Sequence, residues 1–236
     1  YELIDITDRF PADRLDKSIK GFIAPYKHMV DSVNNRVIGR SLHDLDSDDR
    51  NGGYANWAAD YARWFGQLVL DSINGRDGMP QRLDIGVMNV GGIRQNMPKG
   101  DVTEGQILAT FPFANHMVIT AVKGADIMDA LKVAAKKGGE GISGNVRVVV
   151  DKDHNLKRVV VDGREMDPEK TYTVATIDYV AAGNDDLAGF GRGKLLWRDN
   201  AEMAVPMMRY INHLTGLGLP IAPDMTGRFQ EEITIP

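Results

Sequence analysis

The sequence predicts an α+β domain of layered helices and sheets, and three observations carry that expectation. Helix-period and strand-like segments follow one another without the regular alternation of a doubly wound sheet. Apolar residues make up 43% of the chain and charged residues 26%, the proportions of an ordinary globular domain rather than a disordered or fibrous one. The 236 residues hold no internal repeat and no linker long enough to require two domains. Residues 1–236 are therefore read as one domain, with residues 1–35 as a helical lead-in.

Each element has its own signal. Between Pro11 and Asn34 the apolar residues Leu15, Ile19, Phe22, Ile23, Tyr26, Met29 and Val33 recur at helical spacing, with Pro25 marking a kink or break. Val37-Ile38 is strand-like and precedes the polar loop Asp46 to Gly53. A second helix is expected from Tyr54 to Ile73, stopped by Asn74-Gly75. Leu83 to Val90 is a short apolar run bounded by turn residues, hence a buried strand that delivers the chain into Gly91-Gly92. A capped short helix is expected over Glu104 to Thr110, a strand over Met117 to Val122, and a helix over Ala125 to Lys136 that stops at Gly138-Gly139. The strands Val146 to Val150 and Leu156 to Val161 flank the turn residues 151–155 and read as a hairpin. A strand Tyr172 to Ile177 leads into a loop, Asp178 to Gly193. A strand Lys194 to Trp197, a helix Ala201 to Leu214 and a closing strand Arg228 to Ile235 complete the chain.

Composition excludes several functions. The formal charge of −5 arises from 28 Lys and Arg against 33 Asp and Glu without a like-charged block, so the broad footprint of a nucleic-acid binder is missing. There is no cysteine, which removes disulfides, zinc–thiolate sites and thiol nucleophiles. No apolar stretch approaches the roughly 18 residues of a membrane span. The opening residues Tyr1-Glu2-Leu3-Ile4-Asp5 carry neither a signal-peptide pattern nor a starting Met, so a mature or trimmed chain is expected, in which a removed export signal would leave no trace.

Three segments can carry chemistry. Asn89-Val90-Gly91-Gly92-Ile93-Arg94 ends a strand in paired glycines and a cation. Glycines admit a ligand close to the backbone, exposed N–H groups bind anions, and the guanidinium fork fits phosphate oxygens. The alternative is a tight turn with a surface Arg. In Phe111-Pro112-Phe113-Ala114-Asn115 an aromatic ring can stack on a base and the amide can read a base edge, although one of the two Phe residues is expected in the core. In the loop from Asp178 to Asp186, Tyr179 can form the opposite wall of an aromatic clamp and Asp185 can accept from ribose hydroxyls. The alternative there is a loop whose Asn and Asp residues cap local turns. The five histidines, His28, His43, His116, His154 and His213, are scattered, with none paired at ligand spacing.

Taken together and in order, these segments resemble the C-terminal domain of the 5′-nucleotidase family, over nearly the whole chain. Asn89 to Arg94 is similar to the family's Asn-Gly-Gly-Gly-Ile-Arg, with Val90 replacing one glycine, and Gly100-Asp101-Val102-Thr103 is similar to its Gly-Asp-Ile-Thr. Phe111 to Asn115 resembles Gln-Pro-Phe-Gly-Asn, residues 167–172 match Asp-Pro-x-Lys-x-Tyr, and Gly183-Asn184-Asp185 resembles Gly-Gly-Asp-Gly. The resemblance implies a layered α/β/β/α sandwich with mixed sheets. It implies a base held between Phe113 and Tyr179, hydrogen bonds to base or ribose from Asn115 and Asn89, ribose hydroxyls on Asp185, and phosphate on Arg94 beside Gly91 and Gly92. A further phosphate-binding Arg usually precedes the second helix; Arg50 lies in about that place, with Arg63 on the helix a weaker candidate. Asn184 replaces a glycine, and Asp186-Leu187 replaces the family's Gly-aromatic pair.

The family hydrolyses its substrates with two divalent metals held by a metallophosphatase domain, whose Asp-x-His, Gly-Asn-His-Asp/Glu and His-x-His signatures do not occur here. The chain is therefore expected to hold no cofactor, to be inactive alone, and to act with a fused or separate metallophosphatase on a nucleoside monophosphate at a periplasmic or cell-surface location. The alternatives are a stand-alone nucleotide-binding module, or a related phosphoesterase domain for UDP-sugars, cyclic nucleotides or thiosulfate conjugates.

Overall fold

A computed structural model describes residues 16–73 and 78–232. Helix α1 (Lys17–Asn34) starts at Asp16, whose carboxylate accepts from the Ser18 and Ile19 amides at 2.8 and 3.3 Å. Pro25 lies inside α1 and does not end it, so of the two alternatives, a kink or a break, the helix is not broken. The apolar stripe is present, but Phe22, Tyr26 and Met29 are exposed and no α1 residue is buried. Periodicity thus foretold the helix but not its environment. Its C-terminal end meets helix α3 (Glu104–Thr110), where Gly105 lies against Asn34 and Arg36 pairs with Glu104.

Strand β1 (Val37–Ser41) pairs antiparallel with β3 (Gly100–Thr103) in a two-stranded ribbon. Thr103 and Gln106 form a reciprocal capping box at the start of α3. Thr103→Ala removes the acceptor for the Gln106 amide and is expected to cost about 1 kcal/mol, read as a lower urea midpoint at unchanged slope.

The main sheet has the order β10-β4-β9-β2-β5. Its centre is β9 (Thr171–Ile177), parallel to β2 (Ile85–Met88) on one side and antiparallel to β4 (His116–Lys123) on the other, from Met117↔Ile177 to Lys123↔Thr171. Strand β5 (Gly141–Ile142) and the bulged edge strand β10 (Lys194–Glu202) close the sides. Helix α2 (Gly53–Ile73) packs on β2, β5 and β9. At Gly86 a Cβ would lie 2.1 Å from the Ala59 carbonyl, so only glycine lets β2 approach α2 this closely. The second sheet, β11-β6-β7-β8, comprises the expected hairpin β6 (Val146–Val150) and β7 (Leu156–Val161), the short β8 (Arg164–Glu165), and β11 (Phe229–Glu231) parallel to β6. Helix α4 (Gly124–Lys136) touches β4 of one sheet and β6 and β7 of the other, while α6 (Ala204–Gly216) covers β1, β10 and α3. The architecture is the expected layered α+β sandwich with mixed sheets, and one hydrophobic cluster runs through it from Ile38 to Phe229.

Differences from the expectation are local. Strands β3, β5 and β8 are too short to show a period, and none was foreseen. The expected loop after β9 contains a one-turn helix, α5 (Asp178–Ala181), and a 3₁₀ turn at Phe190–Arg192. Strand β10 continues to Glu202 because it pairs with β4 as far as His116, which delays α6 to Ala204. The stop at Asn74-Gly75, the first part of the lead-in and the end of the closing strand lie outside the described residues.

Candidate functional site

The topology brings the three chemistry-bearing segments to one end of the main sheet. Strands β2 and β9 are parallel neighbours, so residues 89–94 and 178–186 leave the sheet side by side. Strand β4 is antiparallel to β9, with Met117 opposite Ile177, so residues 111–115 enter at that same end. Ligands of open sheets that contain parallel strands commonly bind at such carboxyl ends. Here a cavity of about 360 Å³ is lined by Asn89, Gly91, Gly92, Arg94, Phe113, Asn115, Tyr179 and Asp185. Eight of the nine residues singled out from the sequence thus meet in one place.

Local structure positions each side chain. Asn89 ends β2 and is buried, and residues 90–92 make a 3₁₀ turn that presents the two glycines. Arg94 is exposed, and its amide donates to the Thr110 carbonyl at the end of α3. Phe111 is buried edge-on against Tyr54, whereas Phe113 is 48% exposed, which resolves the expectation that one ring serves the core. The Asn115 carbonyl accepts from the Met203 amide at 2.8 Å. Asp178 accepts from the His116 and Tyr179 amides and pairs with Arg198, tying the start of β4 to α5.

Asp185 is the hub. Its carboxylate accepts from Asn89 Nδ2 at 2.6 Å and from the Tyr179 hydroxyl at 3.1 Å, so one acid joins the segment after β2 to the segment after β9. Its hydrogen bond to Tyr179, followed by its charge, pushes the phenol's pKa above the ordinary tyrosine range, which keeps the hydroxyl a donor. Asn89 Oδ1 is buried and has no hydrogen-bond partner among the described residues. Asp185 and Asp186 both adopt left-handed backbone, with φ of 56° and 62°, a conformation that Asp tolerates better than most residues.

Arg50 is not among the lining residues. Its guanidinium is paired with Glu140 at 2.9 Å, because a carboxylate buried to 4% exposure requires a cation. Burial pushes the Glu140 carboxyl up, opposed by the Val90 amide, which it accepts at 2.6 Å, and by Arg50. Lys137, at the end of α4, donates to the Asp185 carbonyl and the Asp186 carboxylate at 2.8 and 2.9 Å. Neither Glu140 nor Lys137 was found by sequence reasoning; the one available signal, a Gly-Gly pair followed by an acid, is also an ordinary helix stop. Arg63 lies on α2 against the Asp84 carbonyl and does not line the cavity. Among the described residues, no group of three or more His, Asp or Glu side chains converges to hold a metal ion, and no helix is long and apolar enough to cross a membrane.

The sequence profile of the family described as "5'-nucleotidase, C-terminal domain" matches residues 37–192. Protein UshA of Yersinia enterocolitica is 35% identical over 106 residues, 43% of this chain and 19% of that protein. A 5'-nucleotidase of Vibrio vulnificus is 31% identical over 174 residues, 72% of this chain and 30% of that protein. A solved 5'-nucleotidase precursor from Thermus thermophilus shares the fold, with a TM-score of 0.71 and 20% identity over 90% of this chain and 42% of that one. The chain spans less than half of the length of each of these proteins. A profile match over more than half of the sequence, on a sheet whose strand ends gather the motif residues, establishes that the chain belongs to the 5′-nucleotidase C-terminal domain family.

Proposed function

We propose that this chain recognises a nucleoside 5′-monophosphate for a 5′-nucleotidase-type hydrolase. The single observation that carries the reading is the convergence of two half-exposed aromatic rings, an acid, two amides, paired glycines and an arginine on one cavity. Phe113 and Tyr179 hold the base between their rings, a mode that demands little of the base's edge and admits several nucleobases. Asn89 and Asn115 supply two amides to the cavity wall, where they bond to base or ribose. Asp185 exchanges its internal hydrogen bonds for the ribose hydroxyls. The Arg94 guanidinium, which among the described residues makes one long 3.4 Å contact to the Gly91 carbonyl, takes the phosphate oxygens, and Gly91 and Gly92 let the ligand approach the backbone.

Hydrolysis to nucleoside and phosphate then belongs to a metallophosphatase domain or subunit, where two divalent metals activate water and stabilise the leaving oxygen. This chain binds and orients the substrate for that step. Its family resemblance supports a periplasmic or cell-surface setting. A stand-alone binding module would share the cavity but gain no turnover when a metallophosphatase is supplied.

Titration of the purified chain with AMP and with adenosine in a calorimeter tests the reading. Saturable AMP binding is expected, and Arg94→Ala is expected to weaken AMP about tenfold, the loss of one charge-assisted contact, while leaving adenosine unchanged. Absence of AMP binding at millimolar concentration, or an equal loss for both ligands, would overturn the assignment.

A further inference from the structure

The two loops that flank the cavity are tied together from behind by a four-residue segment. Helix α4 ends at Lys136, and Lys137 reaches across to residues 185 and 186. The chain then turns through Gly138 and Gly139, with φ of 92° and 126°. A Cβ on Gly139 would lie 2.3 Å from the Arg50 carbonyl, so the segment passes directly against the Arg50 loop. Three residues after Lys137, Glu140 accepts from the Val90 amide with one oxygen and from Arg50 with the other. One end of the segment therefore grips the loop of Asp185, and the other grips the turn of Gly91 and Gly92.

We infer that residues 137–140 are a positioning strap for the nucleotide site, and that Arg50 serves it through Glu140 rather than by touching phosphate. This rests on the nucleotide reading above. The Val90 amide is a buried donor that needs an acceptor, and an apolar residue at 140 could not provide one. A buried carboxylate is costly unless it is paired, and Arg50 offsets that cost while remaining 40% exposed at its side chain. Glu140 thus fixes the height of the glycine turn and Lys137 the position of Asp185. The Asn89–Asp185 hydrogen bond closes the ring on the cavity side. Asp185 and Asp186 stand in left-handed backbone, the second of them where the family carries glycine, and the Lys137 contacts hold them in that geometry.

Positioning and phosphate contact make different predictions. A phosphate contact discriminates AMP from adenosine; a positioning residue weakens both equally. Arg50→Ala, which leaves the buried carboxylate without its cation, and Glu140→Ala, which leaves the Val90 amide unpaired, are each expected to weaken AMP and adenosine by the same factor, about tenfold. Glu140→Gln, which keeps an acceptor for the Val90 amide, is expected to restore most of the affinity. Hydrogen exchange at the Gly91 and Gly92 amides, measured by NMR without ligand, should accelerate in Arg50→Ala and Glu140→Ala while the core amides of α2 stay protected.

A loss for AMP alone in Arg50→Ala would make Arg50 a phosphate ligand and overturn the inference. So would unchanged affinity for both ligands in a folded Glu140→Ala protein. If the native chain binds neither ligand, the nucleotide reading fails, and the exchange measurement alone decides the strap: unchanged glycine amides overturn it, faster ones uphold it. Should Glu140→Ala not fold, Lys137→Met, at a side chain 32% exposed, carries the test through faster exchange at Asp185 and Asp186, and unchanged exchange there overturns the strap.

Discussion

Arg228→Met is expected to lower the free energy of unfolding by about 3 kcal/mol, read as a large drop in urea midpoint at unchanged slope. Arg228 is the largest of the fully buried side chains among the described residues. It donates to Asp60 Oδ2 at 2.6 Å and to the carbonyls of Asn56, at 3.1 Å, and Ile142. Methionine fills the space but satisfies neither buried carbonyl and leaves Asp60 without its cation. Breaking one side of a buried pair costs about 3–5 kcal/mol, and the lower end applies because the Asp60 side chain is 39% exposed and keeps access to water. The three contacts join β11 to α2 and β5, so the variant also loosens the chain just after Glu140. Asp60→Asn is the companion measurement: it removes the charge but keeps an acceptor, and should cost less than half as much. A loss under about 1 kcal/mol in Arg228→Met would mean that the pair is surplus to packing.

That pair illustrates what the sequence alone cannot express. Arg228 and Asp60 are separated by most of the chain, and nothing near either residue announces the other. Glu140 and Lys137 were missed for the same reason, since their partners, Val90 and Asp185, lie 50 and 48 residues away. Elements longer than about five residues were legible because their apolar period persists long enough to be read. This holds for α2, α4, β4 and the β6–β7 hairpin. The two-residue strands β5 and β8 carry no period and exist only because a neighbour pairs with them.

Helix α1 marks the complementary limit, for its stripe of Ile19, Phe22, Ile23, Tyr26, Met29 and Val33 was read correctly as helical yet remains exposed. The candidate site was the most legible part of the chain because its residues sit at strand ends in three short clusters. Placing any one cluster next to another required the parallel pairing of β2 with β9, which the sequence pattern did not reveal. Arg50 was singled out by its distance from the second helix, and that spacing held. Its guanidinium nevertheless faces Glu140, because the strongest nearby demand for a cation is the buried carboxylate.

Removing either ring from the cavity is expected to weaken nucleotide binding by about 1–3 kcal/mol, roughly 5- to 150-fold in dissociation constant. Phe113 and Tyr179 are 48% and 40% exposed, unusual for large rings in a well-packed domain, whereas Phe111, two residues from Phe113, is 6% exposed. A side chain that packs for stability is buried. These two rings line a cavity instead, so their apolar faces gain partners only when a ligand enters. Phe113→Ala should therefore leave the unfolding transition nearly unmoved while reducing affinity, and Phe111→Ala should do the reverse, costing about 3–5 kcal/mol of stability. Tyr179→Phe separates stacking from polarity: it keeps the ring and loses the hydrogen bond to Asp185. It should retain most of the affinity that Tyr179→Ala loses. The losses in the double Ala variant should not sum, since in the proposed clamp the two rings share one base as partner. Stacking also makes a statement about selectivity. Every base has a π-face, so a ring removed from the clamp should weaken AMP and UMP by comparable factors. A loss confined to one base would show that edge reading by Asn89 or Asn115, not the aromatic slot, governs which nucleotide this domain accepts.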